Sequence, residues 1–343
     1  MPTEPAPVKV AVMSFAHVHA AGYVEVLKRA PGVELLSSDP GPHAADGELR
    51  GRELADRLGV GHVDTYEELL AWGPDAVVIT SETSRHRELV ERATAAGAHV
   101  LCEKPLATTR EDALAIAAAV QRAGTVFMMA FPVRFSSSFA RLRAAHDGGG
   151  LGEVFSVRGS NNGMLPTSRS WFTDPELAGG GALTDHVVHI ADLLEALRGC
   201  APASVTAVTN RVLHADRARA ETAGLVTVTY TDGVVAAIDC SWSQPDTAPT
   251  WGGLKLSVAG TGGTVDVDFF GPSVRGLDGR TGRPIQLPYG ADTDEAVLAT
   301  FLDAVRTGSQ PQPDLAVGMR TLDIVLAAQE SAATGRTVTL AGV

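Results

Sequence analysis

Residues 75–106 read DAVVITSETSRHRELVERATAAGAHVLCEKPL, and this stretch decides the fold. Asp75 to Thr80 is an apolar run with no polar alternation, as expected of a strand buried on both faces. Arg85 to Ala96 carries apolar residues at helical spacing and is closed by Gly97. His99 to Cys102 is a second apolar run. The rhythm extends to both sides. Upstream, Val8 to Ser14 reads as a strand and Val18 to Ala30 as a helix stopped by Pro31 and Gly32. Val33 to Asp39 follows as a strand and Gly47 to Leu58 as a helix. Thr65 and Glu68 have capping-box spacing, opening a short helix that ends near Trp72. Downstream, Arg110 to Ala123 is a helix and Thr125 to Phe131 a strand. Apolar strands separated by amphipathic helices predict a parallel sheet covered on both faces, so residues 1–131 should form a doubly wound, Rossmann-type α/β domain.

After Phe131 the pattern changes. Phe139 to Ala145 reads as a helix, Val154 to Ser160 as a strand, and Leu183 to Leu197 as a long apolar helix. Ser204 to Leu213, Leu225 to Tyr230, Val234 to Trp242, Leu254 to Val258 and Thr264 to Phe269 are strand-like runs. Some are joined by glycine-containing turns, a hairpin signal. Ala296 to Arg306 and Leu315 to Thr334 close the chain as helices. Residues 132–343 should therefore form an α+β domain for substrate binding and oligomerisation, with a largely antiparallel open sheet and helices on one side.

Composition narrows the function. The chain has 343 residues, 45% hydrophobic and 20% charged, which suits a two-domain globular protein. A net charge of −12 argues against a nucleic-acid surface. Cys102, Cys200 and Cys240 are too widely spaced for a metal motif or a disulfide framework, which fits a reducing cytoplasm. Met1 to Pro7 reads as a disordered leader without an apolar run, so neither a signal peptide nor a membrane span is expected.

Three stretches carry chemistry. The first strand leads into Ser14, Phe15, Ala16, His17, Val18 and His19, with no glycine where a dinucleotide turn has three. Ala16 permits close backbone approach to a pyrophosphate, whereas Phe15 and His17 crowd it, so Phe15→Gly is expected to strengthen cofactor binding. Asp39, ending the second strand, is placed to accept hydrogen bonds from ribose hydroxyls and to repel a 2′-phosphate; its bland alternative is a turn residue before Pro40. Glu103, Lys104 and Pro105 follow a parallel strand, where open α/β sheets bind ligands, and a lysine there can stabilise an alkoxide. Gly179, Gly180 and Gly181 feed a helix on which Asp185, His189 and Asp192 share one face. A histidine held by a carboxylate suits proton transfer near neutral pH, though a solvated stripe is the plainer reading.

The order of these pieces, together with Phe131-Pro132-Val133-Arg134-Phe135 and the Ser331 to Gly335 ending, resembles the Gfo/Idh/MocA oxidoreductases over nearly the whole chain. The resemblance implies that Lys104 is the active-site lysine, His189 the acid/base histidine and Asp185 its assisting aspartate. It implies that Glu103 and Pro105 shape the cofactor side and that Thr80, Ser81 and His86 lie in the cofactor-contacting segment. Arg134 and Trp171 match substrate-side residues. His186 stands where a less polar residue is expected. With His17 and His19 it could line the substrate pocket or bind a metal such as zinc; packing is the commoner role of such histidines, and no metal is expected.

The expected activity is hydride transfer between nicotinamide and a carbinol or carbonyl carbon of a sugar, polyol or similar small molecule. NAD is the expected cofactor and NADP the second choice. The alternatives are a redox-cycling lyase or glycosidase that retains NAD, and a non-catalytic sensor of nucleotide or sugar. A cytoplasmic homodimer or homotetramer is expected, with no nucleic-acid or membrane partner.

Overall fold

The computed structural model describes residues 6–41 and 47–340. The expected leader lies outside them except for Ala6 and Pro7. The chain forms two compact units. The first comprises residues 1–130, 168–172 and 294–319, and the second residues 131–167, 173–293 and 320–343. The expected cut after Phe131 therefore falls one residue from the first crossing, but the chain returns twice to the first unit. Segment 168–172 returns because Trp171 and Phe172 are buried against His17, an association that no local pattern announces.

The first unit contains β1 (Val8–Met13), α1 (His19–Arg29), β2 (Val33–Ser38), α2 (Gly51–Leu58), β3 (Gly61–His62) and α3 (Tyr66–Ala71). It continues with β4 (Ala76–Ile79), α4 (His86–Ala95), β5 (His99–Glu103), α5 (Arg110–Ala123) and β6 (Phe127–Ala130). The strands pair in the order β3-β2-β1-β4-β5-β6, and every pair is parallel. That is the doubly wound order, with its switch point between β1 and β4. Strands β4 and β6 are buried throughout, and all of β5 after His99 is too, because helices cover both faces. The Thr65 capping box forms as expected. Helix α2 starts at Gly51 rather than Gly47, since the Gly51 N–H donates to the Asp39 carboxylate at 3.0 Å; a side chain distant in sequence sets that boundary.

The second unit holds α6 (Ser137–Asp147), β7 (Val154–Met164), α7 (Pro175–Ala178), α8 (Ala182–Arg198), β8 (Pro202–Asn210) and β9 (Ala223–Tyr230). Next come β10 (Val235–Gln244), β11 (Gly252–Gly260), β12 (Gly263–Asp268), β13 (Ser273–Leu277) and β14 (Pro284–Pro288). Helix α9 (Thr293–Thr307) belongs to the first unit from its second residue, α10 (Leu315–Thr334) runs through both assignments, and β15 (Val338–Thr339) ends the described chain. The sheet order is β12-β11-β7-β10-β9-β8-β15. All its pairs are antiparallel except β7 with β10, in keeping with the largely antiparallel sheet expected. Helix α8 packs on β7 and β10. The opposite face exposes Val208, Leu225 and Val235. The β13–β14 hairpin was not anticipated; its strands are short and mostly exposed, so they lack the apolar alternation by which strands are read. Among the described residues no helix is long and apolar enough to cross a membrane.

Candidate cofactor and catalytic sites

The turn after β1 replaces glycine chemistry with serine chemistry. Ser14 has φ 76°, the left-handed region that usually requires glycine. Such a conformation costs about 1–3 kcal/mol in a non-glycine residue. Local bonds offset it: Ser14 Oγ donates to Asp39 Oδ1 at 3.0 Å and accepts from the Ala16 N–H at 3.2 Å. The turn is stitched to its neighbours by Ser14 N–H to the Ser38 carbonyl and His17 N–H to the Thr80 carbonyl, both 2.8 Å. The Thr80 hydroxyl donates to the Ser14 carbonyl at 2.6 Å, and the Trp171 indole to the Ala16 carbonyl at 3.0 Å. Ser81 turns its hydroxyl to the Glu82 carbonyl.

Phe15 does not crowd the turn. Its side chain is fully buried and stacked 6.1 Å from the His62 ring, so the crowding expectation is corrected. A left-handed Ser14 reverses the chain and sends the next side chain inward. Helix α1 begins without a side-chain cap and without an acid in its first turn. Its positive end therefore suits an anion such as a dinucleotide pyrophosphate.

Asp39 sits where a ribose acceptor is expected, but its carboxylate is already engaged. Oδ1 accepts from Arg50 Nη2 at 2.7 Å, and Oδ2 accepts from Arg50 Nε at 3.1 Å and from Gly51 N–H at 3.0 Å. Arg50 also donates to Glu82 at 3.0 Å. Arg50 and Glu82 were missed in the sequence; the only available signal was that a buried acid needs a counter-ion. Burial alone would raise the Asp39 pKa, but Arg50 and the Gly51 N–H outweigh it and hold the carboxyl below its ordinary 3.8. A depressed folded pKa adds stability that is present above the unfolded value and is lost as pH falls through the folded one. Asp39→Asn should therefore differ most from the parent protein near neutral pH and converge with it below about pH 4. Melting temperatures across that range check this; a gap that does not close on acidification would show Asp39 to be uncharged or unpaired.

Lys104 and Pro105 directly follow β5, on the rim of the parallel sheet. Glu103 ends that strand, 1% exposed, and its Oε2 accepts the Lys104 N–H at 3.2 Å. Burial would keep this carboxyl protonated, but His17, His19 and Lys104 around it hold it well below the usual carboxylate range. His86 does not face a ligand. It is fully buried and its Nδ1–H donates to the Pro105 carbonyl at 2.9 Å, so it braces the segment after Lys104 from behind. Burial lowers its pKa, which keeps the ring neutral.

In the second unit the three glycines form a closely packed turn. Gly180 has φ 145°, and a Cβ on Gly181 would lie 2.0 Å from the Glu221 carbonyl oxygen. The Glu221 carboxylate accepts the Gly181 and Leu183 N–H groups at 2.8 and 3.2 Å, capping α8 from a distant segment. Asp185 and His189 lie one turn apart on α8. Asp185 Oδ2 accepts the Trp242 indole N–H at 3.2 Å and lies 3.2 Å from His186 Nε2. The His189 ring meets Phe131 edge-on at 6.1 Å.

Three substrate-side expectations change. His186 is fully buried, edge-on to Trp251, because α8 is covered on nearly every side; it is a core residue. Arg134 donates from Nε to Asp192 at 3.0 Å, with a second bond from Nη2, so its fork is spent on holding α8. Asp192 is thus a buried partner rather than part of a solvated stripe. Trp171 is 4% exposed and belongs with the cofactor turn.

A parallel sheet in doubly wound order, with an acid directly after β2, is the arrangement of a dinucleotide-binding fold. Comparison with known proteins agrees. Residues 43–131 match the oxidoreductase family described as having an NAD-binding Rossmann fold, and residues 139–266 match the GFO/IDH/MocA C-terminal domain. The chain belongs to the Gfo/Idh/MocA family of oxidoreductases. It is 29% identical to 1,5-anhydro-D-fructose reductase of Ensifer adhaerens, over 90% of this chain and 91% of the relative. It is also 29% identical to D-xylose 1-dehydrogenase (NADP(+)) 2 of Haloferax volcanii, over 96% and 100%. The structure of GenD2 from gentamicin A biosynthesis, in complex with NAD, superposes with a TM-score of 0.87 at 27% identity, covering 99% of this chain and 98% of GenD2.

Proposed function

We propose that this protein is an NAD-dependent dehydrogenase or reductase acting on a sugar, polyol or similar hydroxylated small molecule. The observation that carries this reading is Lys104, immediately after β5 of a doubly wound sheet. The kinship with sugar reductases and dehydrogenases supports it. When bound, the nicotinamide accepts or returns a hydride. The chain's own residues orient and neutralise: Lys104 donates a hydrogen bond to the reacting oxygen and stabilises it as an alkoxide. His189 takes the hydroxyl proton in the oxidation direction and returns it in reduction, and Asp185 tunes that histidine. The first-turn N–H groups of α1 receive the pyrophosphate, and Ser14, Ala16 and Thr80 shape its bed. Asp39, now bonded to Arg50, would accept hydrogen bonds from the adenosine ribose hydroxyls. A cytoplasmic homo-oligomer associating through the exposed sheet face completes the proposal.

Mass spectrometry of nucleotide released from the purified protein, followed by a sugar and polyol screen read by nicotinamide absorbance, tests the activity. Bound nucleotide with no reacting substrate would favour the redox-cycling or sensor alternatives. NAD should bind more tightly than NADP, because the Asp39 and Glu82 carboxylates oppose a 2′-phosphate. Fluorescence titration of both cofactors checks this. Asp39→Ala should narrow the difference, and tighter NADP binding by the unaltered protein would remove Asp39 from the ribose role.

A further inference from the structure

We propose that His17, His19 and Glu103 form a binding site for a divalent metal ion, with Zn2+ the ion their donor set suits best. His17 and His19 leave the turn before α1 together, and Glu103 is the last residue of β5. One donor atom from each lies within 4.8 Å of the other two. Nδ1 of His19 is 2.9 Å and Nδ1 of His17 is 3.7 Å from Oε1 of Glu103. Zinc bonds to nitrogen and oxygen are about 2.0–2.2 Å, which sets ligand atoms of a tetrahedral ion roughly 3.3–3.6 Å apart. The two separations bracket that spacing, and the third, between the two histidines, lies within 4.8 Å before any ion draws the donors together.

The surroundings orient the donors. The Lys104 N–H holds Oε2 of Glu103 and leaves Oε1 toward the histidines. The His17 ring is walled by Phe172 at 5.3 Å and meets His19 edge-on at 4.4 Å. Two imidazoles and one carboxylate leave a fourth position for water, as in catalytic zinc sites. His19, 29% exposed, provides the side from which an ion would enter. His17 Nδ1 at present accepts the His19 N–H at 3.2 Å, a long bond that the metal would replace. The rival reading is a hydrogen-bonded cluster with no metal. A bound ion would cross-link the cofactor turn to the strand that precedes Lys104.

Chelator-treated protein is titrated with ZnCl2 against a chromogenic indicator, and with CoCl2 by visible absorption, without cofactor or substrate. The expected result is saturable binding at one site per chain, with a Co2+ spectrum of low coordination number. His19→Gln and Glu103→Gln should each weaken binding by more than the roughly 10- to 100-fold that outer-shell changes cost. His146→Gln, near the end of α6 and outside the cluster, should leave it unchanged. Circular dichroism confirms folding; if one variant fails to fold, the other variant and the Co2+ spectrum of the unaltered protein decide. Absence of binding, or equal affinity in all variants, overturns the proposal in favour of the hydrogen-bonded cluster or adventitious surface histidines. Because neither nucleotide nor substrate is present, failure here is distinct from failure of the hydride-transfer reading.

Discussion

Lys104→Ala and His189→Ala should each lower turnover by roughly 100- to 10,000-fold, the usual loss when one positioned acid/base group is removed. Neither side chain belongs to an element's apolar core: Lys104 is buried but follows β5 at the sheet rim, and His189 is only partly buried on α8. Fold and NAD affinity should therefore be largely retained. Both groups are assigned to one hydroxyl in one transition state, so the double variant should lose much less than the product of the single losses. The measurement is steady-state turnover on a substrate found by the sugar and polyol screen, with circular dichroism as the control. Fully multiplicative losses would mean that the two act on different steps, and wild-type turnover in both variants would place the active site elsewhere. Asp185→Asn should be milder but move the pH profile, because it alters the group proposed to tune His189.

Phe15→Ala should destabilise the protein by about 3–5 kcal/mol, the range for removing a buried aromatic ring. Phe15 is fully buried, stacks on His62 and directly follows Ser14, which holds a left-handed conformation. Losing the ring leaves a cavity beside the turn and loosens the backbone that Ser14 and Ala16 hold, so NAD affinity should fall with stability. Denaturant midpoints and cofactor titration check the two effects. Unchanged stability with tighter NAD binding would restore the crowding account, in which Phe15 obstructs the pyrophosphate.

The candidate site was legible in part, for identifiable reasons. Lys104 could be found because its position depends on local order: it follows a buried strand, and the rims of such strands are where these sheets bind ligands. Asp185 and His189 could be placed on one face because helical spacing is local as well. Ser14 was placed in the turn, but its left-handed conformation could not be read, because it is stabilised by bonds to Asp39 and Ala16. Arg50 was passed over because its meaning lies in Asp39 and Glu82, which are distant in sequence. Arg134 was read as ligand-facing from the family resemblance, and His186 because it departs from that pattern. The structure instead gives Arg134 a buried carboxylate partner and His186 a packing partner, Trp251.

By itself, the sequence determined the alternation of apolar strands and amphipathic helices, hence the doubly wound sheet, and it identified the triplet Glu103, Lys104 and Pro105. Those features follow from periodicity, capping and chain direction, all of which act over a few residues. Only the tertiary structure decided that segment 168–172 returns to the first unit, that Asp39 is held by Arg50, and that Glu103 meets His17 and His19. Each of these joins groups far apart along the chain. Their energies come from burial, which makes a lone charge or an uncovered ring costly and so selects whichever distant partner can neutralise or cover it.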